Sequence, residues 1–98
     1  MLQLIADSGS SKTDWYLCNQ QQVLLNYKTK GCNPLASPSQ WIREELSLHL
    51  LPVLKQIIPL ETIDKLHFYG AGCHQGEGQE RMTAILSNIF SKQTSIKV

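Results

Sequence analysis

Asp7-Ser8-Gly9-Ser10-Ser11-Lys12-Thr13 is the stretch of the chain whose residue types could do chemistry. It lies between two apolar runs, Leu4-Ile5-Ala6 before it and Trp15 to Cys18 after it. Gly9 lets the backbone turn tightly and approach a ligand closely. Successive backbone N–H groups in such a turn can form a concavity that holds an anion. Ser10, Ser11 and Thr13 add hydroxyls, and Lys12 adds a positive charge. Asp7, at the carboxyl end of the first run, suits Mg²⁺ held directly or through water, since Mg²⁺ keeps several waters and pairs one or two carboxylates with substrate phosphates. Together these groups fit the phosphate tail of a nucleotide. They equally fit a plain hairpin whose turn is rich in Ser and Gly, because such turns are common. Two other nucleotide loops are excluded. A GxxxxGK[ST] loop needs Gly where Ser11 stands and a helix after it, and a GxGxxG loop also opens a helix. Here strand-forming residues follow.

Two further segments carry polar or close-approach chemistry. Asn33, in Gly31-Cys32-Asn33-Pro34, offers an amide donor and acceptor to a hydroxyl-rich ligand. It serves equally well as a turn residue before proline. The glycine-rich loop Gly70-Ala71-Gly72-Cys73-His74-Gln75-Gly76 follows an apolar run. Ligands of open α/β sheets bind at the carboxyl ends of strands, which makes Gly72 and Cys73 candidates for substrate contact. The bland alternative is a strand-to-helix turn. Cys73-His74 has no second ligand pair at metal spacing. His67 reads as a core or sheet-edge residue and His49 as a helix-surface one. Trp15 and Trp41 read as core or interface, since no basic surroundings accompany them. Glu77 and Glu80 suit the positive end of a helix.

The elements that must hold these groups follow from periodicity. Residues 2–7, 13–18 and 22–29 read as strands whose short connections force antiparallel pairing. A helix follows Pro38, with Ser37 as its cap and Gln40 closing a capping box. Ile42, Leu46, Leu50, Val53, Leu54 and Ile57 keep its period. Pro52 should kink or split it, and Pro59 ends it. Residues 64–70 read as a fourth strand. A second helix runs from about Glu77 to Ser91, with Met82, Ile85, Leu86, Ile89 and Phe90 as its apolar stripe. Residues 95–98 begin a fifth strand. The order β-β-β-α-β-α-β implies an α/β mixed sheet covered by helices.

Composition narrows the function classes. A chain of 98 residues is one domain at most, and its +1 net charge leaves no basic footprint for nucleic acid and no polybasic patch for a membrane. No apolar stretch approaches the roughly 20 residues that span a bilayer, and the first residues do not form a signal peptide. Three cysteines without CxxC spacing favour reduced thiols and a cytoplasmic setting.

The D-x-G-x-[ST]-x-T pattern between antiparallel strands resembles the first phosphate motif of the sugar kinase/Hsp70/actin superfamily. The segments ADSGSSKTDW, GCNP and FYGAGC, spread over nearly the whole chain, resemble the BadF/BadG/BcrA/BcrD ATPase family. They look most like its N-acetylglucosamine kinase-like branch. The resemblance implies a ribonuclease H-like, actin-like ATPase fold, Mg²⁺ and ATP as cofactors and an amino sugar as substrate. It places the metal-organising carboxylate on Asp7 and the phosphate contacts on Gly9, Ser11 and Thr13, with Ser10 and Lys12 beside them. It places a sugar contact on Asn33. Many relatives carry glycine where this chain has Ser8 and Ser10. The catalytic Asp of the family follows the fifth strand, which puts it beyond Val98. Residues 1–98 are therefore expected to be the N-terminal portion of the first domain, with the second domain absent and the piece inactive alone. Two other functions stay open: an ATPase that activates a dehydratase through a cysteine-held cluster, and a non-catalytic interaction module. An exposed sheet edge would admit a second copy of the chain, giving a homodimer.

Overall fold

Alternating apolar residues build the sheet and decide which face is covered. In the computed structural model, which describes residues 1–73 and 76–98, strand β1 is Leu2–Ser8. Its Leu4, Ala6 and Ser8 are buried, while Gln3, Ile5 and Asp7 take the other face, as the period of two requires. Strand β2, Lys12–Cys18, buries Thr13, Trp15 and Leu17 on the same side. Strand β3, Val23–Lys30, turns Leu25, Tyr27 and Thr29 inward. The β2–β3 turn is held by Asn19, whose Oδ1 accepts the N–H groups of Gln21 and Gln22, each at 2.8 Å. Strand β4, Ile63–Gly70, contributes Ile63, Leu66 and Phe68 to the core, and β5 is Ser95–Lys97.

The five strands lie in the order β3-β2-β1-β4-β5. β1 pairs antiparallel with β2 and parallel with β4; β2–β3 is antiparallel and β4–β5 parallel. This is the mixed sheet that the element order implies. β1 sits at its centre, so the β1–β2 turn and the ends of β3 and β4 gather at one edge.

One helical rod covers residues 39–55, in three segments. Helix α1, Ser39–Glu45, passes into a π-helical segment, Leu46–Leu50, and then into α2, Leu51–Lys55. Pro52 explains the middle segment. It has no N–H to donate four residues back, and its ring crowds the carbonyl there. In a π-helical turn the bonding steps to five residues back, and the Leu51 N–H does reach the Leu46 carbonyl. The widened turn absorbs the proline, and the interruption that the sequence suggested takes the form of a π-helical turn between α1 and α2. The rod ends at Lys55, before Pro59, and leaves Ile57 exposed.

The expected capping box does not form. Pro38, not Ser37, occupies the cap position, without a side-chain cap bond. Gln40 instead donates from Nε2 to Glu44 Oε1 at 2.9 Å, one turn on. Helix α3, Glu77–Ile89, buries Met82, Ile85 and Leu86 and packs against α1. Trp15 is fully buried, whereas Trp41 is exposed on the rod. Glu45 is buried and its Oε2 accepts the backbone N–H of Lys30 at 3.0 Å, on the outer edge of β3. Among the described residues, no helix is long and apolar enough to cross a membrane.

Candidate active site

The phosphate-type turn is closed by one bond, from the Gly9 N–H to the Lys12 carbonyl at 2.8 Å. Ser10 and Ser11 are exposed at its tip, and among the described residues no protein acceptor takes their N–H groups. Free adjacent donors at a turn are what an anion needs. Gly9 does not have positive φ, and a Cβ added to it would meet its nearest atom, the Lys12 carbonyl oxygen, only at 3.8 Å. The turn itself thus does not require glycine at position 9. What glycine leaves there is open space above the backbone.

Asp7 is exposed at the end of β1, on the sheet face that the helices leave open. Its cross-strand neighbours are Asp14 on β2 and Tyr69 on β4. Asp14 is held by Lys28 at 3.3 Å and Lys12 at 3.8 Å. Among the described residues Asp7 has no ion pair, so its carboxylate is the one left available to a cation. No cluster of three metal-ligating side chains is present among the described residues. A cation here would therefore draw most of its ligands from water and phosphate, which is the habit of Mg²⁺.

Thr13 is placed differently from the other hydroxyls. It is fully buried, donates to the Lys30 carbonyl at 2.9 Å, and lies 2.8 Å from Ser8 Oγ. Its hydroxyl braces the strands beneath the turn rather than facing outward. Lys12 extends into solvent beside Asp14.

Glycines bring the other two segments to the turn. An added Cβ on Gly31 would lie 2.6 Å from the Gly9 carbonyl oxygen and 2.7 Å from that of Ser10. The β3–α1 connection can rest on the phosphate-type turn only because residue 31 lacks a side chain. Asn33 follows two residues later. Its Oδ1 accepts the Leu35 N–H at 2.9 Å, and its carbonyl accepts those of Ala36 and Ser37. The acceptor side of the amide is thus used by the turn, and among the described residues the amide nitrogen donates to no protein group. Gly72 has φ +76 and packs directly against Asn33 Oδ1, so both the backbone angle and the contact demand glycine. Arg81 of α3 reaches back to the Pro34 carbonyl and pairs with Glu77. Cys73 is buried beside a cavity of about 260 Å³ that His67, Tyr69, Gly70 and Lys97 also line. His67 and Tyr69 stack on the open sheet face with centroids 6.3 Å apart. His74 and Gln75 lie outside the described residues.

The structure therefore brings Gly9–Lys12, Asn33 and Gly72 to one edge, with Asp7 beside them on the open face. Sequence reasoning missed Ser8, Gly31 and Arg81. Gly31 could have been found, because a glycine just past a strand often marks close approach of backbone. The pairing of Ser8 with Thr13 carries no sequence signal, since it depends on strand register.

Burial pushes the Cys32 thiol from 9.0 up to about 11, and the nearby charge of Glu45 adds to the rise. Burial also pushes the Cys73 thiol up. Elevated thiols are poor nucleophiles, so neither suits covalent catalysis. For Cys32 a pH dependence follows. Between pH 9 and 11 the unfolded thiol ionises while the native one keeps its proton, so stability falls as pH rises through that window. Urea unfolding near pH 8 and near pH 11 should differ by roughly 2–3 kcal/mol more in the native sequence than in Cys32→Ala.

No family model matches the chain, and no curated protein matches it. Solved structures do. A candidate N-acetylglucosamine kinase from Porphyromonas gingivalis superposes with a TM-score of 0.83 at 30% identity over 95% of this chain. A Bacteroides thetaiotaomicron protein of unknown function with an actin-like ATPase fold superposes with a TM-score of 0.55 at 21% identity over 98% of it. The chain spans 32% of the length of each. The strand order, the mixed pairing and these neighbours agree: this chain has the actin-like ATPase fold.

Proposed function

We propose that residues 1–98 are the N-terminal portion of the first actin-like domain of an ATP-dependent sugar kinase. The substrate is N-acetylglucosamine or a related amino sugar, and the branch is that of the BadF/BadG/BcrA/BcrD ATPases. The observation that carries this is the 30% identity and 0.83 TM-score to the P. gingivalis protein over 95% of the chain. The gathering of an open phosphate-type turn and a sugar-type amide at one sheet edge supports it. Bound Mg-ATP would supply the transferable phosphoryl group. The chain's part is to hold and orient. The N–H groups of Ser10 and Ser11, with Gly9 and Lys12, cradle the phosphates. Asp7 holds Mg²⁺ directly or through its waters. Asn33, with Gly72 and Cys73 behind it, receives the sugar. Thr13 acts from beneath, through the strands. Phosphoryl transfer depends on such positioning and on charge stabilisation from both sides of the transferred group. Three free cysteines fit a reducing, cytoplasmic setting.

The test uses the full-length protein. Mg-ATP and N-acetylglucosamine should give a sugar phosphate detectable by phosphorus NMR. Asp7→Asn should weaken Mg-dependent nucleotide binding by roughly 10- to 100-fold and leave binding in EDTA unchanged. A full-length protein that phosphorylates no amino sugar, or an Asp7→Asn variant with wild-type Mg dependence, would sink the assignment.

A further inference from the structure

Ser8 touches every segment of the candidate site. It is 4% exposed and ends β1 just before the turn. Its hydroxyl accepts the Cys32 N–H at 3.0 Å, one residue before Asn33. The same hydroxyl lies 2.8 Å from Thr13 Oγ1. Thr13 gives its own proton to the Lys30 carbonyl at 2.9 Å, so the Ser8 proton must go to Thr13. The result is a directed relay: Cys32 N–H to Ser8, Ser8 to Thr13, Thr13 to the end of β3. Meanwhile the Ser8 carbonyl accepts the Ala71 N–H at 3.2 Å, which anchors the loop after β4. The bonds at Ser8 are buried, the last one at Lys30 is part-buried, and no buried side-chain polar atom is left without a partner among the described residues. Such a network admits one arrangement, because losing any member strands a buried group.

We propose that Ser8 is a positioning residue that couples the nucleotide and sugar halves of the site. It contacts neither ligand. Its hydroxyl fixes the Asn33 loop at a set distance from the phosphate-type turn. Order imposed on one loop by its ligand is then transmitted to the other, so that each ligand raises affinity for the second. The inference rests on the kinase assignment above, and deepens it by naming how the two subsites communicate within this chain.

The test measures coupling, since loss of folded molecules does not alter a ratio of affinities. In the full-length protein, calorimetry gives the affinity for the non-hydrolysable Mg-AMP-PNP with and without N-acetylglucosamine. The wild type should show a ratio of at least about fivefold, the lower end of ordinary coupling. Ser8→Ala should bring that ratio down several-fold while each ligand alone binds within about threefold of wild type. Amide exchange at Cys32 should quicken at least about tenfold in the variant, because its acceptor is gone. Unchanged coupling, or unchanged exchange at Cys32, would overturn the inference and leave the kinase assignment standing. A wild type that binds neither ligand would overturn the assignment, and the inference with it. Should Ser8→Ala not fold, the wild type decides: Mg-AMP-PNP alone must slow exchange at Cys32, and exchange that stays the same overturns the proposal.

Discussion

Gly31→Ala should damage the site more than the equivalent change in the turn itself. The new Cβ would sit 2.6 Å from the Gly9 carbonyl oxygen and 2.8 Å from the Ser10 carbonyl carbon. Both obstacles are backbone, so no side chain can swing aside. Either the turn or the β3–α1 connection must move by the better part of an ångström. Overpacking of this kind costs about 1–3 kcal/mol. On the kinase reading proposed above, a shift of about 1 Å in groups that position a reacting phosphate costs on the order of 100-fold in turnover. Gly9→Ala is the internal control. Its Cβ would find only the Lys12 oxygen at 3.8 Å, and its φ is not positive. Its stability should change by less than about 1 kcal/mol, in either direction. Urea unfolding and turnover of both full-length variants give the comparison. Equal losses from the two substitutions would show that Gly31 does not set the spacing.

Trp15→Ala should produce the largest loss of stability. The indole is fully buried at the middle of β2, opposite Ala6 and Tyr27 on its neighbouring strands. It meets the Phe68 ring at a centroid distance of 6.0 Å, and its Nε1 donates to Thr29 Oγ1 at 2.9 Å. Truncation would remove the ring, open a cavity in the core beneath the sheet, and take the indole donor from the Thr29 hydroxyl, which keeps its bond to the Lys30 carbonyl. Substitutions of this size cost about 3–5 kcal/mol. A domain's whole stability is about 5–15 kcal/mol, so much of the margin would go. The midpoint of urea unfolding followed by circular dichroism should fall sharply, with its slope unchanged. Trp15→Phe should fall between, keeping the packing and losing the bond. A loss below about 1 kcal/mol in Trp15→Ala would mean the ring is not the keystone of the sheet.

The strands were legible because their signal is local. Alternation in LQLIADS and KTDWYLC reports its own buried face, and the short polar links leave antiparallel pairing as the only choice. Five strands and the second helix therefore emerge from the sequence within about two residues of where the structure has them, while the first helix ends at Lys55, short of the Pro59 stop that the sequence suggested. The failures are each matters of competition between neighbours. Ser37 and Gln40 spell a capping box, but the chain enters α1 from a turn already organised by Asn33, and Gln40 finds Glu44 instead. Pro52 announces a defect without saying which kind, because whether a helix breaks or widens depends on what it packs against. Trp41 reads as core or interface by sequence, and its exposure removes the core half of that reading.

The site divides along the same line. Residues that offer chemistry outward, Asp7, Ser10, Ser11 and Asn33, can be picked out by type. Those that hold the geometry cannot. Thr13 looks like one more hydroxyl donor, and only the register of β1, β2 and β3 turns it inward to Ser8 and Lys30. Gly9 looks like the glycine that makes the turn, while the closer backbone approach is at Gly31. Position in the fold, rather than residue type, separates groups that face outward from groups that brace the strands here.

The carboxylate of Glu45 has a bearing on self-association. A peripheral strand offers unpaired N–H groups on which a foreign strand can grow, and β3 is such a periphery. Glu45 occupies one of those donors, at Lys30, from the flank of the helical rod. An intruding strand would have to evict a buried anion before it could pair along that stretch. What stays vulnerable is the start of β3, where Val23 and Leu24 are exposed. Ladder-like aggregation of this domain, when it occurs, should begin there.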